Sequence, residues 1–340
     1  MNKTNTRSPQ CSHQRIDLWR QLSALRHWAF LRFAIGPIPI PIPIPIPLLL
    51  VMLGLWTGAT TAHAGLQANA MVGVGHDTRV TLAADDTQRQ EQGDGYGLMQ
   101  AGMGWQSAWR SGQFTSELSV RDQHWQQNQM FNTRLYSGFV HVSQQTGPVR
   151  SELTWMQAQA DVDGDRYLEL MRVSPAVGKK LGQSLYVRGQ LDYSEKRYHN
   201  HSVGEAQRRA QRIGARVLAY WFIPNTSWSL SSTLQTLREE NRPGEYQAQY
   251  DYDAVILKLA LRHKSLWFGH KVGHRLQLRG EERVYAQRYD LRLRWQFSQE
   301  WQWTPQWSWQ WRVRQEDHYS DRATSDYAQT RFETQLEWAL

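Results

Sequence analysis

Residues 307–314 read Trp307-Ser308-Trp309-Gln310-Trp311-Arg312-Val313-Arg314. Every second residue is aromatic or aliphatic, and the residues between are polar or charged. Successive side chains of a strand point to opposite faces, so this octapeptide forms a ribbon with one apolar and one polar side. Faces that differ this much need an apolar medium on one side and a polar one on the other.

The same pattern recurs in both directions along the chain. Tyr289, Leu291, Leu293, Trp295 and Phe297 oppose Arg292, Arg294 and Gln296, and Phe332, Thr334, Leu336, Trp338 and Leu340 oppose Glu333, Gln335 and Glu337. Upstream, Leu185, Val187, Gly189, Leu191 and Tyr193 alternate with Arg188, Gln190 and Asp192, and Ile213, Val217 and Trp221 face away from Arg212 and Arg216. The spacing predicts fourteen strands, near 66–76, 96–108, 113–124, 131–144, 149–160, 166–179, 184–196, 209–222, 227–238, 249–263, 271–282, 287–299, 306–316 and 327–340. Faces are mixed in 131–144 and 166–179, and Pro175 demotes the latter locally because proline has no N–H to give a ladder.

Connections sort by parity. Those after even-numbered strands are mostly short, such as Trp109–Gly112, Gln145–Pro148 and Lys180–Gln183. Those after odd-numbered strands are mostly longer and more polar, such as Asp77–Gly95, Arg197–Arg208, Glu239–Ala248 and Asp317–Asp326. An even number of amphipathic strands with short turns at one end and long loops at the other is the pattern of an all-β, antiparallel, up-and-down transmembrane barrel with both termini periplasmic. Segment length agrees, since a tilted strand crosses hydrocarbon in ~9–11 residues. Trp and Tyr favour the membrane–water boundary, which predicts interfacial places for Trp105, Trp109, Trp125, Trp221, Trp228, Trp267, Trp301, Trp303, Tyr193, Tyr246, Tyr285, Tyr319 and Tyr327.

Residues 1–64 read differently. Six basic residues precede the apolar run Leu48–Trp56, and small residues end at Ala62-His63-Ala64. Basic region, short apolar core and A-x-A site predict a secretory signal peptide cleaved near Ala64, leaving 65–340 as the barrel. The Pro-Ile alternation from Pro37 to Pro47 is low complexity, reads as a repeat expansion or part of an over-called start, and points to no function.

The chain holds 39 Lys+Arg against 31 Asp+Glu, a formal +8 that invites a nucleic-acid reading. Six of those bases and one acid lie in the leader, which lowers the remainder to +3 and removes that reading. The single cysteine, Cys11, is also a leader residue, so no disulfide scaffold or cysteine zinc site follows. A mean hydropathy of −0.66 is what alternation produces when every second residue meets water.

With these elements in place, the sequence resembles bacterial outer-membrane β-barrels. Its final segment is similar to the terminal signal such proteins offer their barrel-assembly machinery, here Phe332, Leu336, Trp338 and Leu340, although the last residue is Leu rather than Phe or Trp. A closer resemblance is to the barrel of surface lipoprotein assembly modifiers. It rests on Val72-Gly73-Val74-Gly75-His76-Asp77-Thr78, Asp163-Gly164-Asp165-Arg166-Tyr167 and Tyr319-Ser320-Asp321 ahead of the last aromatic strand. That resemblance implies a Gram-negative outer-membrane location, contact with membrane lipid and lipopolysaccharide, and a secreted lipoprotein as partner. The helical repeats that precede such barrels are missing from this sequence.

Parity directs twelve basic side chains inward: Arg150, Arg188, Arg212, Arg216, Lys258, Arg262, Arg275, Arg279, Arg292, Arg294, Arg312 and Arg314. Glu117, Glu152, Asp192, Glu333 and Glu337 are the acids expected beside them. Rings of Arg and Lys build anion-preferring pores, whereas cross-strand ion pairs only stiffen a wall, and parity is compatible with both. Asp161-Val162-Asp163-Gly164-Asp165 has carboxylates at spacing two, but its glycine is one place early for a calcium loop and it reads as a solvated turn. His199-Asn200-His201-Ser202 lacks an acid partner and reads as loop. No catalytic, metal or cofactor signature is present. The expected function is a non-enzymatic conduit for small polar, anionic solutes; the alternative is an accessory barrel for surface assembly or secretion of a protein or glycan.

Overall fold

A computed structural model describes residues 63–81, 89–90, 93–199, 208–241, 250–321 and 326–340. The leader as far as residue 62, the 200–202 segment and Tyr246 lie outside the described residues.

Fourteen strands form one closed antiparallel barrel. They are β1 His63–Asp77, β2 Asp94–Trp109, β3 Gly112–Trp125, β4 Thr133–Thr146, β5 Val149–Val162, β6 Asp165–Leu181 and β7 Leu185–Tyr198. Then come β8 Arg208–Phe222, β9 Trp228–Asn241, β10 Tyr252–Trp267, β11 His270–Tyr285, β12 Tyr289–Gln302, β13 Trp307–Ser320 and β14 Tyr327–Ala339. Each strand pairs with its neighbours in sequence, and β1 closes the ring on β14 from Asn69↔Ala339 to Asp77↔Arg331. Closure leaves no unpaired edge, which an apolar medium would penalise heavily.

Every expected strand is present, and most run a few residues longer. The extra length has a physical cause: the ladder partner sets a strand's end. His263, Ser265 and Trp267 continue β10 because His274, Val272 and His270 of β11 are there to receive them. Pro175 does not end β6. Pairing with β7 stops at Val173↔Tyr193 and resumes at Ala176↔Gln190, so the missing donor interrupts the ladder at one point only.

Turn parity holds with two exceptions. Asp163-Gly164 joins β5 to β6 as a two-residue hairpin with φ of 51° and 88°, in keeping with the turn expected at these residues but shorter than the other connections at this end. Positive φ at both central residues is what a tight hairpin matching strand twist requires, and Gly supplies the second at little cost. Ala286–Arg288, between β11 and β12, is also short. Elsewhere the loop end carries the longer connections, including a small ribbon, Val80–Thr81 against Arg89–Gln90.

The two faces of the barrel differ as alternation dictates. Leu118 and Ile213 remain 65% exposed on the outer wall, in company with Val74, Met103, Leu191, Leu234 and Trp295. An outer surface of this kind is stable in hydrocarbon and aggregates in water. Phe332, Leu336 and Trp338 lie on this face of β14, opposite Val313, Trp309 and Trp307, and the Leu340 N–H donates to the Ala68 carbonyl at 2.9 Å.

The aromatic residues divide by end. Trp105, Trp221, Trp228, Trp267, Trp301 and Trp309 sit on the outer wall near the short turns, with Trp267 and Trp301 edge-to-face at 5.6 Å. Trp125, Tyr285 and Tyr327 correct the expectation of an interfacial place. They share the inner face of Tyr96, Tyr252 and His318 respectively and are buried. Interior packing claimed these rings because inner-wall side chains pack on one another at the loop end. Val80 folds in from the first loop onto Tyr96, Trp125 and Phe131, and separate clusters form at Val162, Tyr167 and Tyr198 and at Leu237, Tyr252, Ile256 and Tyr285.

Candidate functional site

All twelve basic residues singled out from parity face the barrel interior, as do Glu117, Glu152, Asp192, Glu333 and Glu337. What parity left open is how they pair. Directly opposed residues in successive strands form rows across the inner wall, and these rows differ in composition.

Toward the loop end the rows alternate in sign. Glu281 lies opposite Arg292, and Arg283 lies opposite Asp290. Arg283 Nε reaches Glu281 Oε1 at 2.6 Å, and Arg279 also binds Glu281. Glu239 takes Lys196 at 2.8 Å and the Tyr252 hydroxyl at 3.2 Å. At the seam, Asp77 has no exposed surface; it accepts from Arg331 at 2.5 Å and from Gln329 Nε2 at 2.8 Å. The Tyr96 hydroxyl donates to Glu333 at 2.9 Å across Gly75, where an added Cβ would lie 2.3 Å from the tyrosine ring. Glycine is required at that position for the ring to cross the strand.

Toward the turn end the rows accumulate positive charge. One runs Lys258–Arg279–Arg294–Glu316 across β10 to β13, and another runs Arg262–Arg275–Ser298–Arg312–Glu333 across β10 to β14. Lys258 faces Arg279, Arg279 faces Arg294, Arg262 faces Arg275, and Arg314 faces Arg331. Like charges directly opposed in a sheet are destabilising. Some of this charge is compensated. Arg294 binds Glu316, Arg312 reaches Glu333 at 3.3 Å, Arg216 reaches Asp192 at 3.2 Å, and Arg150 and Arg188 share Glu152 at 3.2 and 2.7 Å. Among the described residues, Arg212, Lys258, Arg262, Arg275 and Arg314 have no ion-pair partner. Buried Nε–H groups of Arg216, Arg262, Arg275 and Arg279 lack an acceptor.

Several inner-wall residues escaped the sequence reading. Arg172 lies on a strand with mixed faces, while Lys196, Arg283 and Arg331 continue the parity of Asp192, Arg275, Arg279 and Glu333 and were readable by extension. The acids Asp77, Glu239, Glu281, Asp290 and Glu316 also follow parity, but their neutralising role needs the register. Asp161 of the suspected calcium loop accepts from Gln159 at 2.8 Å, and Asp163 occupies the hairpin turn. His199 lies 3.6 Å from Glu169.

Fold and inner wall together define a closed barrel with an apolar exterior and a basic interior sector. Among solved structures the chain is similar to an anion-selective porin from Comamonas acidovorans, at 9% identity over 82% of this chain and 100% of that one, with a TM-score of 0.49. It is also similar to the outer-membrane-expressed OmpT of Vibrio cholerae, at 8% identity over 83% and 99% of the two chains, with a TM-score of 0.48. CdiB from Acinetobacter baumannii matches at 11% identity over 80% of this chain, with a TM-score of 0.46, and the match spans 60% of CdiB's length. No family model and no curated protein sequence matches the chain.

Proposed function

We propose that this protein is a non-enzymatic barrel of the Gram-negative outer membrane, exported by a leader cleaved near Ala64, that conducts small polar solutes with a preference for anions. In this reading the outer wall contacts membrane lipid and lipopolysaccharide, both termini and the short turns are periplasmic, and the Phe332–Leu340 segment addresses the barrel-assembly machinery. β1 begins at His63, so a chain starting at Gly65 retains nearly all of that strand.

One observation carries the proposal: among the described residues, five of the twelve interior cations singled out from parity have no acid partner, and four pairs of cations oppose each other directly across strands. A wall built only for stability would place acids in those positions, as the loop-end rows do. Excess fixed positive charge in a confined polar passage raises the local concentration of anions and repels cations.

The test is the reversal potential of the folded full-length chain in planar bilayers under a potassium chloride gradient. A steady current with a reversal potential displaced toward that of chloride supports the reading. A barrel that carries no current and co-purifies with a secreted lipoprotein overturns it and favours the assembly accessory.

A further inference from the structure

The turn-end row contains one place where the positive charge has a definite shape. Arg262 and Arg275 are direct cross-strand partners on the inner face of β10 and β11. Neither has an acid partner among the described residues, and each keeps a buried Nε–H without an acceptor. One Arg275 amino group is committed, donating from Nη2 to Gln277 Oε1 at 2.6 Å, which fixes the plane of that guanidinium. Arg312 and Tyr220 lie within electrostatic reach of Arg275. Tyr220 shares the inner face through Ser231, which pairs with Ala260 between Lys258 and Arg262. Arg312 is held by Glu333 at 3.3 Å and by Gln310 at 2.8 Å, and although its own buried Nε–H lacks an acceptor, these two contacts turn it away from the pair, to which it adds field.

Two planar guanidiniums with unfilled N–H donors and a phenol in the neighbouring row of the inner wall form a donor set suited to a tetrahedral, multiply charged oxyanion. Such an ion can accept two parallel bonds from each fork, whereas chloride offers one spherical acceptor. The opposed pair is costly in an empty wall and is relieved when a dianion sits between the two charges.

We infer that Arg262 and Arg275, with Tyr220, form a saturable lumenal site for phosphate-class oxyanions. This rests on the conduit reading for its biological sense but not for its test, since binding is measurable in a barrel that conducts nothing.

The experiment is equilibrium dialysis of radiolabelled inorganic phosphate against the folded full-length chain in detergent, at constant ionic strength in chloride. Heat-modifiable migration and tryptophan fluorescence establish that each variant is folded. Wild type should bind saturably, about one phosphate per barrel, with competition by a phosphate monoester and none by equimolar chloride. The Arg262→Gln/Arg275→Gln double variant should bind at least tenfold more weakly, while Arg238→Gln, a change on the exposed outer wall, should leave affinity as in wild type. Should the double variant fail to fold, Arg262→Lys and Arg275→Lys keep the charge but lose the fork, and each should weaken binding several-fold. Non-saturable uptake, unchanged affinity in the arginine variants, or an equal loss in Arg238→Gln overturns the site. Current without phosphate binding removes this inference and leaves the conduit standing; phosphate binding without current does the reverse.

Discussion

The inner rows near the loops and those near the turns are built from the same residue types on the same strands, yet they solve different problems. On β11, Arg283 sits opposite Asp290 and beside Glu281, while eight residues earlier Arg275 sits opposite Arg262 and Ser298. The loop-ward half is an aromatic-capped lattice of paired charges in which the acids are nearly inaccessible. The turn-ward half carries surplus charge at a cost in stability. Sheet geometry treats both alike, so the difference lies in which side chains were placed there. Paired charge rigidifies a wall, and unpaired charge of one sign acts on whatever enters.

Four substitutions break or sharpen that contrast. The largest effect is expected from Asp77→Ala at the loop-ward seam. It strands Arg331 and Gln329 in the interior and should cost about 3–5 kcal/mol, measured as the urea midpoint of barrels folded into lipid vesicles. Wild-type stability in that variant would remove the seam's role.

A smaller effect should separate two residues of β13. Glu316→Gln removes the carboxylate charge beside Arg294 and leaves one acceptor oxygen for Arg294 and the Tyr327 hydroxyl, 2.9 Å away, to share, and should cost about 1–3 kcal/mol in the same assay. Arg314→Gln, two positions earlier, removes a cation that opposes Arg331 and should cost less than Glu316→Gln. If the two lose equally, the distinction between balanced and surplus charge fails.

The smallest effect on stability belongs to Arg262→Gln. Relief of a directly opposed like charge should leave the unfolding midpoint unchanged or raise it by a few tenths of a kcal/mol. Its effect on reversal potential should be plain, with the anion preference reduced. A clear loss of stability would show that Arg262 is structural.

Much of the architecture was legible because a strand's period of two is written residue by residue. Trp307 to Arg314 displays both faces of β13 with no knowledge of its neighbours, and the parity of Arg275 and Arg279 held through the whole of β11. What failed to read were features that depend on two strands at once. Trp125 and Tyr327 carry no mark in the sequence that separates an interfacial ring from one packed on the inner wall. The Asp163-Gly164 segment reads as a turn, but its two-residue length is fixed only when Val162 and Asp165 are seen to pair.

By itself, then, the sequence determined the strand count, the alternation of turns and loops, and the side of the wall to which each charged residue belongs. All of these follow from local periodicity and local turn chemistry. Only the tertiary structure decided that Arg283 meets Asp290 while Arg262 meets Arg275, because register is a property of strand pairs. A shift of two residues would preserve every face and exchange every partner. The chemistry of the interior is therefore set by register, and with it the difference between a stiffened wall and a charged passage.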